Sequence, residues 1–425
     1  MKITVLSGNT IGGTEKAASL FASALARRGH AVCMLTTRNG PRTSLLEKAG
    51  VRIEDVACTS DALFAWIQKE KPDVIHQHVC GFGDHRALYH ALDRCLEWKP
   101  KLIETNVFGR LYDRYDHDHV ALRMFVSMAS GCQAFRRPQW KRTSPSPQRF
   151  AILSYPIEPF PSIPSPSCYA LRAELGIRPD EFILIRTGQP GGKWTEWECK
   201  AFQIARQANP NLRLILMEPY AEIAQRIRAG KWGDGIIVLK ASSDFAFLSR
   251  LYRTANAMLH ASLYGESFGY TLAEGMQAGL PIITLSTPWG DNAQVQLIKN
   301  GETGWVCSSC KGMAEAILDL AKNPSRCMSM GTAAAKRIDE VSNIESQTNL
   351  LEEVMHYVTG GPISPLMTRV FDQWMAYDQN GFDPAQSDVC DANLRLSYFL
   401  WHLETRYRKA RSRCRFWLDC FTHRS

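Results

Sequence analysis

The sequence predicts an α/β protein: two doubly wound domains facing a central cleft, followed by a helical, basic C-terminal extension. Three observations carry that prediction. Short β-branched runs alternate with helical patterns over residues 1–105, and the alternation restarts after Tyr169. Between the two blocks, residues 143–168 hold seven of the chain's 21 prolines, a residue excluded from helix interiors and central strands. Strand–helix alternation belongs to parallel sheets covered by helices on both faces. At 425 residues the chain has room for two or three domains, placed here at 1–160, 161–358 and 359–425.

The expected strands of the first domain are Lys2–Leu6, Ala31–Thr36, Val51–Val56, Asp73–His76 and Lys101–Thr105. Lys2–Leu6 reads as a buried strand meeting a glycine turn, since a secretory signal needs a longer apolar core and a cleavage site. After it, Ala17, Ala18, Phe21, Ala24 and Leu25 share one helical face. One strand, Phe150–Ser154, is embedded in the proline-rich connection. In the second domain the strands are Phe182–Thr187, Leu212–Met217, Gly235–Leu239, Ala257–Ala261 and Pro281–Leu285, with a long helical stretch near Ser325–Val358. Gly360-Gly361-Pro362 then breaks the chain. Two such domains leave a cleft where the carboxyl ends of both sheets can bind a ligand.

Composition excludes several classes. With 45% hydrophobic and 22% charged residues, the chain is neither disordered nor collagenous nor a disulfide scaffold. Its longest apolar runs are far short of the ~20 residues that span a bilayer. Thirteen cysteines without a framework point to a reducing cytoplasm, and the lone pair Cys307 and Cys310 lacks the second pair of a zinc site. The net charge of +8 is local. Arg123, Arg136, Arg137, Lys141, Arg142 and Arg149 fall in 119–150 without an acid, and eight basic residues crowd 395–425. Locality of that kind implies a partner surface.

The most informative stretch is Ser262-Leu-Tyr-Gly-Glu266-Ser-Phe-Gly269-Tyr-Thr-Leu-Ala-Glu274-Gly-Met-Gln-Ala-Gly-Leu-Pro281. It sets one Glu in a loop after a strand, Ser267, Phe268 and Gly269 at a helix start, and a second Glu inside that helix. Unpaired N–H groups and the dipole of a helix N-terminus suit phosphate or sugar oxygens. Two glutamates at different depths of a cleft can accept hydrogen bonds from different hydroxyls. As isolated residues, though, they could equally be a first-turn acid and a solvated face. The stretch resembles the signature of retaining GT-B glycosyltransferases of the family-4 type (glycosyl transferases group 1). Thr287-Pro-Trp-Gly290-Asp-Asn-Ala-Gln and Gly301-Glu-Thr-Gly304-Trp-Val add to the likeness, which covers roughly residues 1–350.

The resemblance implies a GT-B fold, a nucleoside diphosphate sugar as co-substrate, no metal or other cofactor, and hexosyl transfer with retained configuration. Glu266 would contact the transferred sugar, Glu274 the ribose, and the backbone around Ser267, Phe268 and Gly269 the sugar or phosphate. Gly12 and Gly13 stand where a glycine loop lets the backbone approach a diphosphate; they do not form the G-x-G-x-x-G of nicotinamide enzymes. Lys193 takes the place of the family's diphosphate-gripping Lys. Gln189 stands where its Arg is expected and lacks the charge and fork of that residue; Arg186 is a candidate substitute. Where the family often carries a His, Thr105 or Asn106 follows the strand Lys101–Thr105, with Asn106 assigned a catalytic, sugar-binding role. His76 and His78 read as structural. Asp116-His117-Asp118-His119 looks like a metal motif of a different fold.

The departing diphosphate can take the acceptor proton, so no protein base is implied, and a nucleotide leaving group needs no strong general acid. The expected acceptor is a glycan or lipid-linked hydroxyl. Arginines interleaved with Phe125, Phe135 and Trp140, and a tail with Trp401, Tyr407, Phe416, Trp417 and Phe421, suit peripheral binding to an anionic inner membrane face. The same tail could instead pack on the first domain. Two alternatives stay open at this level: a nucleotide-sugar epimerase of the same fold, and a nucleic-acid-binding protein that uses the basic tail.

Overall fold

The computed structural model describes residues 1–36, 38–79, 86–110, 119–135, 149–161, 165–188, 193–242, 244–262, 264–287 and 290–380. Two parallel sheets organise it. The first has the order β3-β2-β1-β4-β5-β6-β7 and comprises β1 Lys2–Leu6, β2 Ala31–Leu35, β3 Arg52–Glu54, β4 Val74–Val79, β5 Lys101–Asn106, β6 Val120–Phe125 and β7 Phe150–Ile152. The second has the order β10-β9-β8-β11-β12-β13, built from β8 Phe182–Arg186, β9 Leu212–Met217, β10 Ile236–Leu239, β11 Ala257–His260, β12 Ile282–Leu285 and β13 Gly304–Cys307. In each sheet the strand order reverses once, between β1 and β4 and between β8 and β11. Crevices at the carboxyl ends of those strand pairs are where doubly wound sheets bind ligands.

β6 has no counterpart among the expected strands. Arg123 sits in its middle, and the run reads as part of a basic surface. In the fold Arg123 is only 3% exposed. Its Nε lies 2.5 Å from Oε1 of Glu104, its register partner on β5. Phe125 is fully buried and stacks on Phe150 with ring centroids 6.2 Å apart. Arg149 donates to the carbonyl of Val120. Arg123 and Phe125 are therefore core, and the membrane-facing role expected of them is corrected: a charge can enter this interior only with its counter-charge. Arg136, Arg137, Trp140, Lys141 and Arg142 lie outside the described residues, as do Asp116–Asp118, Gln189 and the basic tail beyond residue 380.

The expected long helical stretch near Ser325–Val358 consists of two helices, Pro324–Ser342 and Ile344–Val358. Asn343 separates them: its side chain caps the second by accepting from the N–H groups of Glu345 and Ser346, and it bridges Ile157. Here the chain returns to the first domain. Leu350, Leu351, Val354 and Met355 join Ile3, Phe21 and Leu122 in one buried cluster, and Met367 and Phe371 of the next helix, Pro365–Asn380, complete it. Arg28 binds Glu345 and Glu352 at 2.5 Å each across the same contact. The crossing thus sits at Ser342–Asn343, upstream of the 358/359 division, because one continuous-looking apolar pattern serves two domains in turn.

Glu104→Ala strips the buried Arg123 of this counter-charge. Removing one member of such a pair typically costs about 3–5 kcal/mol, so the urea midpoint of the first domain should fall accordingly. An unchanged midpoint would mean that the guanidinium is solvated.

Candidate active site

The site grows out of the β8/β11 crevice. β8 ends at Arg186, with Lys193 shortly after it in sequence; β11 ends at His260, with Glu266 shortly after it. Gly269, at φ 94°, then caps the helix Tyr270–Gln277, a left-handed turn that side chains other than glycine resist. Glu266 is buried, 6% exposed. Lys193 Nζ lies 2.5 Å from its Oε2, and His260 Nε2 is 3.2 Å from its Oε1. Burial pushes the Glu266 carboxyl up, but Lys193 and then His260 outweigh burial and hold it well below the usual carboxylate range. Burial, with Arg186 nearby, lowers His260 to about 4. At neutral pH the group is therefore an anion beside one cation and a neutral imidazole.

Glu266 is also clamped through its backbone. Its N–H donates to Gln294 Oε1 at 3.0 Å, and its carbonyl accepts from the Ala293 N–H at 2.8 Å. Gly265, at φ 69°, has the carbonyl oxygen of Asp291 only 1.4 Å from where a Cβ would sit. No other residue fits there. The segment following β12 thus fixes the loop following β11.

Arg186 does not take the donor-binding place suggested for it. It is 2% exposed; its Nε donates to Glu198 at 3.1 Å, its Nη1 to the carbonyl of Thr187, and its guanidinium lies 4.6 Å from the Trp194 ring centre. Glu198 also accepts from Thr195 and from the Ala261 N–H. This buried pair ties the start of the β8 loop to the start of the β11 loop, beneath Lys193 and Glu266.

Glu274 reaches across the cleft. Lys16, on the helix Gly13–Arg27 of the first domain, places its Nζ 2.9 Å from Glu274 Oε1 and 4.9 Å from the Tyr270 ring centre. Tyr252 donates to Glu274 Oε2 at 3.1 Å. Gly12 caps the same helix, and a Cβ on Gly13 would lie 3.1 Å from the Tyr270 ring, so the glycine loop packs directly on the opposite domain. Ser267 is buried, and Phe268 belongs to an aromatic seam with Tyr155 and Tyr270, at 5.5 and 5.0 Å.

Asn106 stands apart from these groups. Its amide donates to Glu104 and to the Arg110 carbonyl, at 3.0 and 2.8 Å, and accepts from the Arg110 N–H. It shapes the turn after β5. His76 is buried on Thr105 at 2.8 Å, and His78 packs on it with ring centres 4.2 Å apart; burial lowers His78 to about 3. His119 pairs with Asp93 at 2.7 Å. Among the described residues no cluster of three His, Cys, Asp or Glu side chains could hold a metal, and none of the helices is long and apolar enough to cross a membrane. The structure adds Lys16, Tyr252, His260 and Asp291 to the site. Only Lys16, one turn past the glycine pair, had a sequence cue.

Lys193→Met leaves the burial of Glu266 opposed mainly by a His that is neutral down to about 4. The carboxyl should then rise from below its ordinary range to above it, and an infrared titration against a Glu266→Gln control reads the change. A carboxyl still ionised in mild acid would show that Lys193 is not its counter-charge.

Residues 198–337, which include Glu266 and Glu274, match the family described as glycosyl transferases group 1. The chain is 24% identical over 291 residues to the lipopolysaccharide glucosyltransferase WaaG of Escherichia coli K12, covering 64% of this chain and 76% of that one. Among solved structures, HepE (Alr3699) of Anabaena, in complex with UDP and glucose, is similar with a TM-score of 0.66 at 15% identity, over 84% of this chain and 100% of that one. A glycosyltransferase of Rickettsia africae gives a TM-score of 0.69 at 14% identity, over 85% and 99%. Over the described residues the chain thus has the GT-B fold, and residues 198–337 within it match the glycosyl transferases group 1 family.

Proposed function

We propose that this glycosyltransferase moves a sugar from a nucleoside diphosphate sugar to an acceptor hydroxyl with retained anomeric configuration, in the assembly of a cell-envelope glycan. One observation carries the proposal: Glu266 and Glu274 lie on one loop–helix segment at the β8/β11 crevice, each beside a lysine. In this reading Glu266 orients the transferred sugar and Glu274 the ribose. Negative charge builds on the departing diphosphate; Lys193, the backbone of Gly12 and Gly13, and the helix start at Ser267–Gly269 stabilise it. That positive charge does the work a metal does in other transferases, so none is assigned. The acceptor proton leaves with the diphosphate. HepE, which binds UDP, supports a nucleotide donor, and WaaG, which acts on lipopolysaccharide, supports an envelope acceptor.

The site should be reached from the cytoplasmic face of a membrane, with the aromatic, basic segment 395–425 as a peripheral anchor. Full-length protein should pellet with anionic vesicles and not with neutral ones, and truncation before Asp391 should abolish the difference. Equal pelleting with both vesicle types removes the anchor.

A thermal-shift screen with UDP-, GDP- and ADP-sugars tests the donor: a ligand at ~100 times its dissociation constant adds about 2.7 kcal/mol. Losing a charged hydrogen-bond acceptor costs about 1.5–3 kcal/mol. Glu274→Ala should therefore weaken donor binding roughly 10- to 150-fold, while Glu266→Ala keeps the shift and lowers turnover. If both variants keep affinity and turnover within twofold of the parent, the assignment of the two carboxylates is wrong.

A further inference from the structure

Among the described residues, Asp291 is an acid beside Glu266 that the reading above leaves without a task. It belongs to the second domain but faces the first. Gln133, on the helix Met128–Phe135 of the first domain, donates to the Gly290 carbonyl at 2.6 Å and also hydrogen-bonds the Asp291 carboxyl. Arg110, on the turn after β5, faces the same carboxyl, and on the other side lie Lys193 and Glu266. Its backbone cannot drift. The Asp291 N–H donates to the Tyr264 carbonyl at 3.0 Å, and its carbonyl accepts from Thr287 Oγ1 at 2.8 Å, pressed against Gly265. The carboxyl is thus held at a fixed offset from Glu266, at the seam between the domains.

Charge narrows what it can serve. A second carboxylate beside Glu266 repels a diphosphate, so Asp291 has nothing to offer the donor's phosphates. It can accept hydrogen bonds from hydroxyls, and the hydroxyl arriving from the first domain is the acceptor's. Resting on the proposed function, we infer that Asp291 accepts the hydrogen bond of the attacking hydroxyl and aims its oxygen at the anomeric carbon held by Glu266. In that step the acceptor oxygen bonds to the anomeric carbon, the bond to the diphosphate oxygen breaks, and the hydroxyl proton, hydrogen-bonded to Asp291 until the attack, transfers to the departing diphosphate oxygen. Asp291 keeps its charge throughout. Preorganised aim of this kind converts an encounter into a near-attack geometry.

Burial pushes the Asp291 carboxyl up to about 6; Lys193, Gln133 and Arg110 pull it down, and Glu266 pushes with burial. The ionised form is the much stronger acceptor for the hydroxyl, so turnover is full above that value and falls as pH drops through it.

The test uses the full-length protein, the donor chosen by the thermal-shift screen, and water as the attacking hydroxyl, so no acceptor need be known. Asp291→Asn should lower donor hydrolysis at least tenfold, leave the dissociation constant of the donor within twofold, and lose the acidic limb that the wild type shows near pH 6. Unchanged hydrolysis overturns the inference. So does a loss of donor affinity that parallels the loss of turnover, which would place Asp291 on the donor. Should the variant not fold, the wild-type profile decides alone: no limb near pH 6 overturns the assignment. A wild type that neither binds nor hydrolyses any donor overturns the functional reading and this inference with it, a result distinct from a defect confined to Asp291→Asn.

Discussion

A carboxylate buried as deeply as Glu266 survives as an anion only while positive charge is kept beside it, because desolvating an unpaired charge costs several kcal/mol. Most of the second domain's active face follows from that constraint. Lys193 must arrive from the β8 loop, which is anchored beneath by Arg186 and Glu198. Glu198 in turn holds the first residue after β11. The 291–294 segment after β12 closes on Glu266 from the far side, through its N–H and its carbonyl. Residues that follow three different strands therefore meet around a single charge. That arrangement preorganises a site without help from a ligand.

The first domain meets this face with a matching cation. Lys16 spans the cleft to Glu274 while resting over Tyr270, and the Tyr270 hydroxyl reaches back to the Pro156 carbonyl at 3.0 Å. Tyr155, Phe160 and Phe268 continue the contact as an apolar seam. A charged tie inside an aromatic frame gives the two domains a defined approach. Glu274 already has hydrogen-bond donors on both oxygens, Lys16 and Tyr252; a ribose hydroxyl at Glu274 would exchange with one of these partners. The return of residues 344–380 to the first domain adds a second covalent link between the halves.

Much of the fold was legible because parallel strands buried on both faces read as continuous apolar runs. β1 and β9 match their expected bounds, and most of the other expected strands differ only by a residue or two at their ends. β6 stayed hidden because Arg123, a charge in the middle of a strand, is tolerable only with Glu104 nineteen positions away. Arg186 misled for the same reason: an arginine closing a strand beside a phosphate-type loop looks like a ligand until its partner Glu198 is seen. Glu266 and Glu274 could be singled out because the whole 262–281 stretch resembles a family signature; their spacing alone left a first-turn acid and a solvated face open. Tyr252, His260 and Asp291 could not, since each gains its role only from residues brought in by other strands. The break at Asn343 was equally silent, because the apolar pattern continues across it while its target changes.

The central claim is that the two glutamates divide one nucleotide sugar between them, and the most direct measurement is a crystal structure with the nucleoside diphosphate sugar that the screen selects. The expected result has the ribose hydroxyls on Glu274, the diphosphate against Lys193 and the start of the helix Tyr270–Gln277, and the sugar hydroxyls on Glu266. A nucleotide bound elsewhere, or bound in the crevice with neither carboxylate touching it, contradicts it.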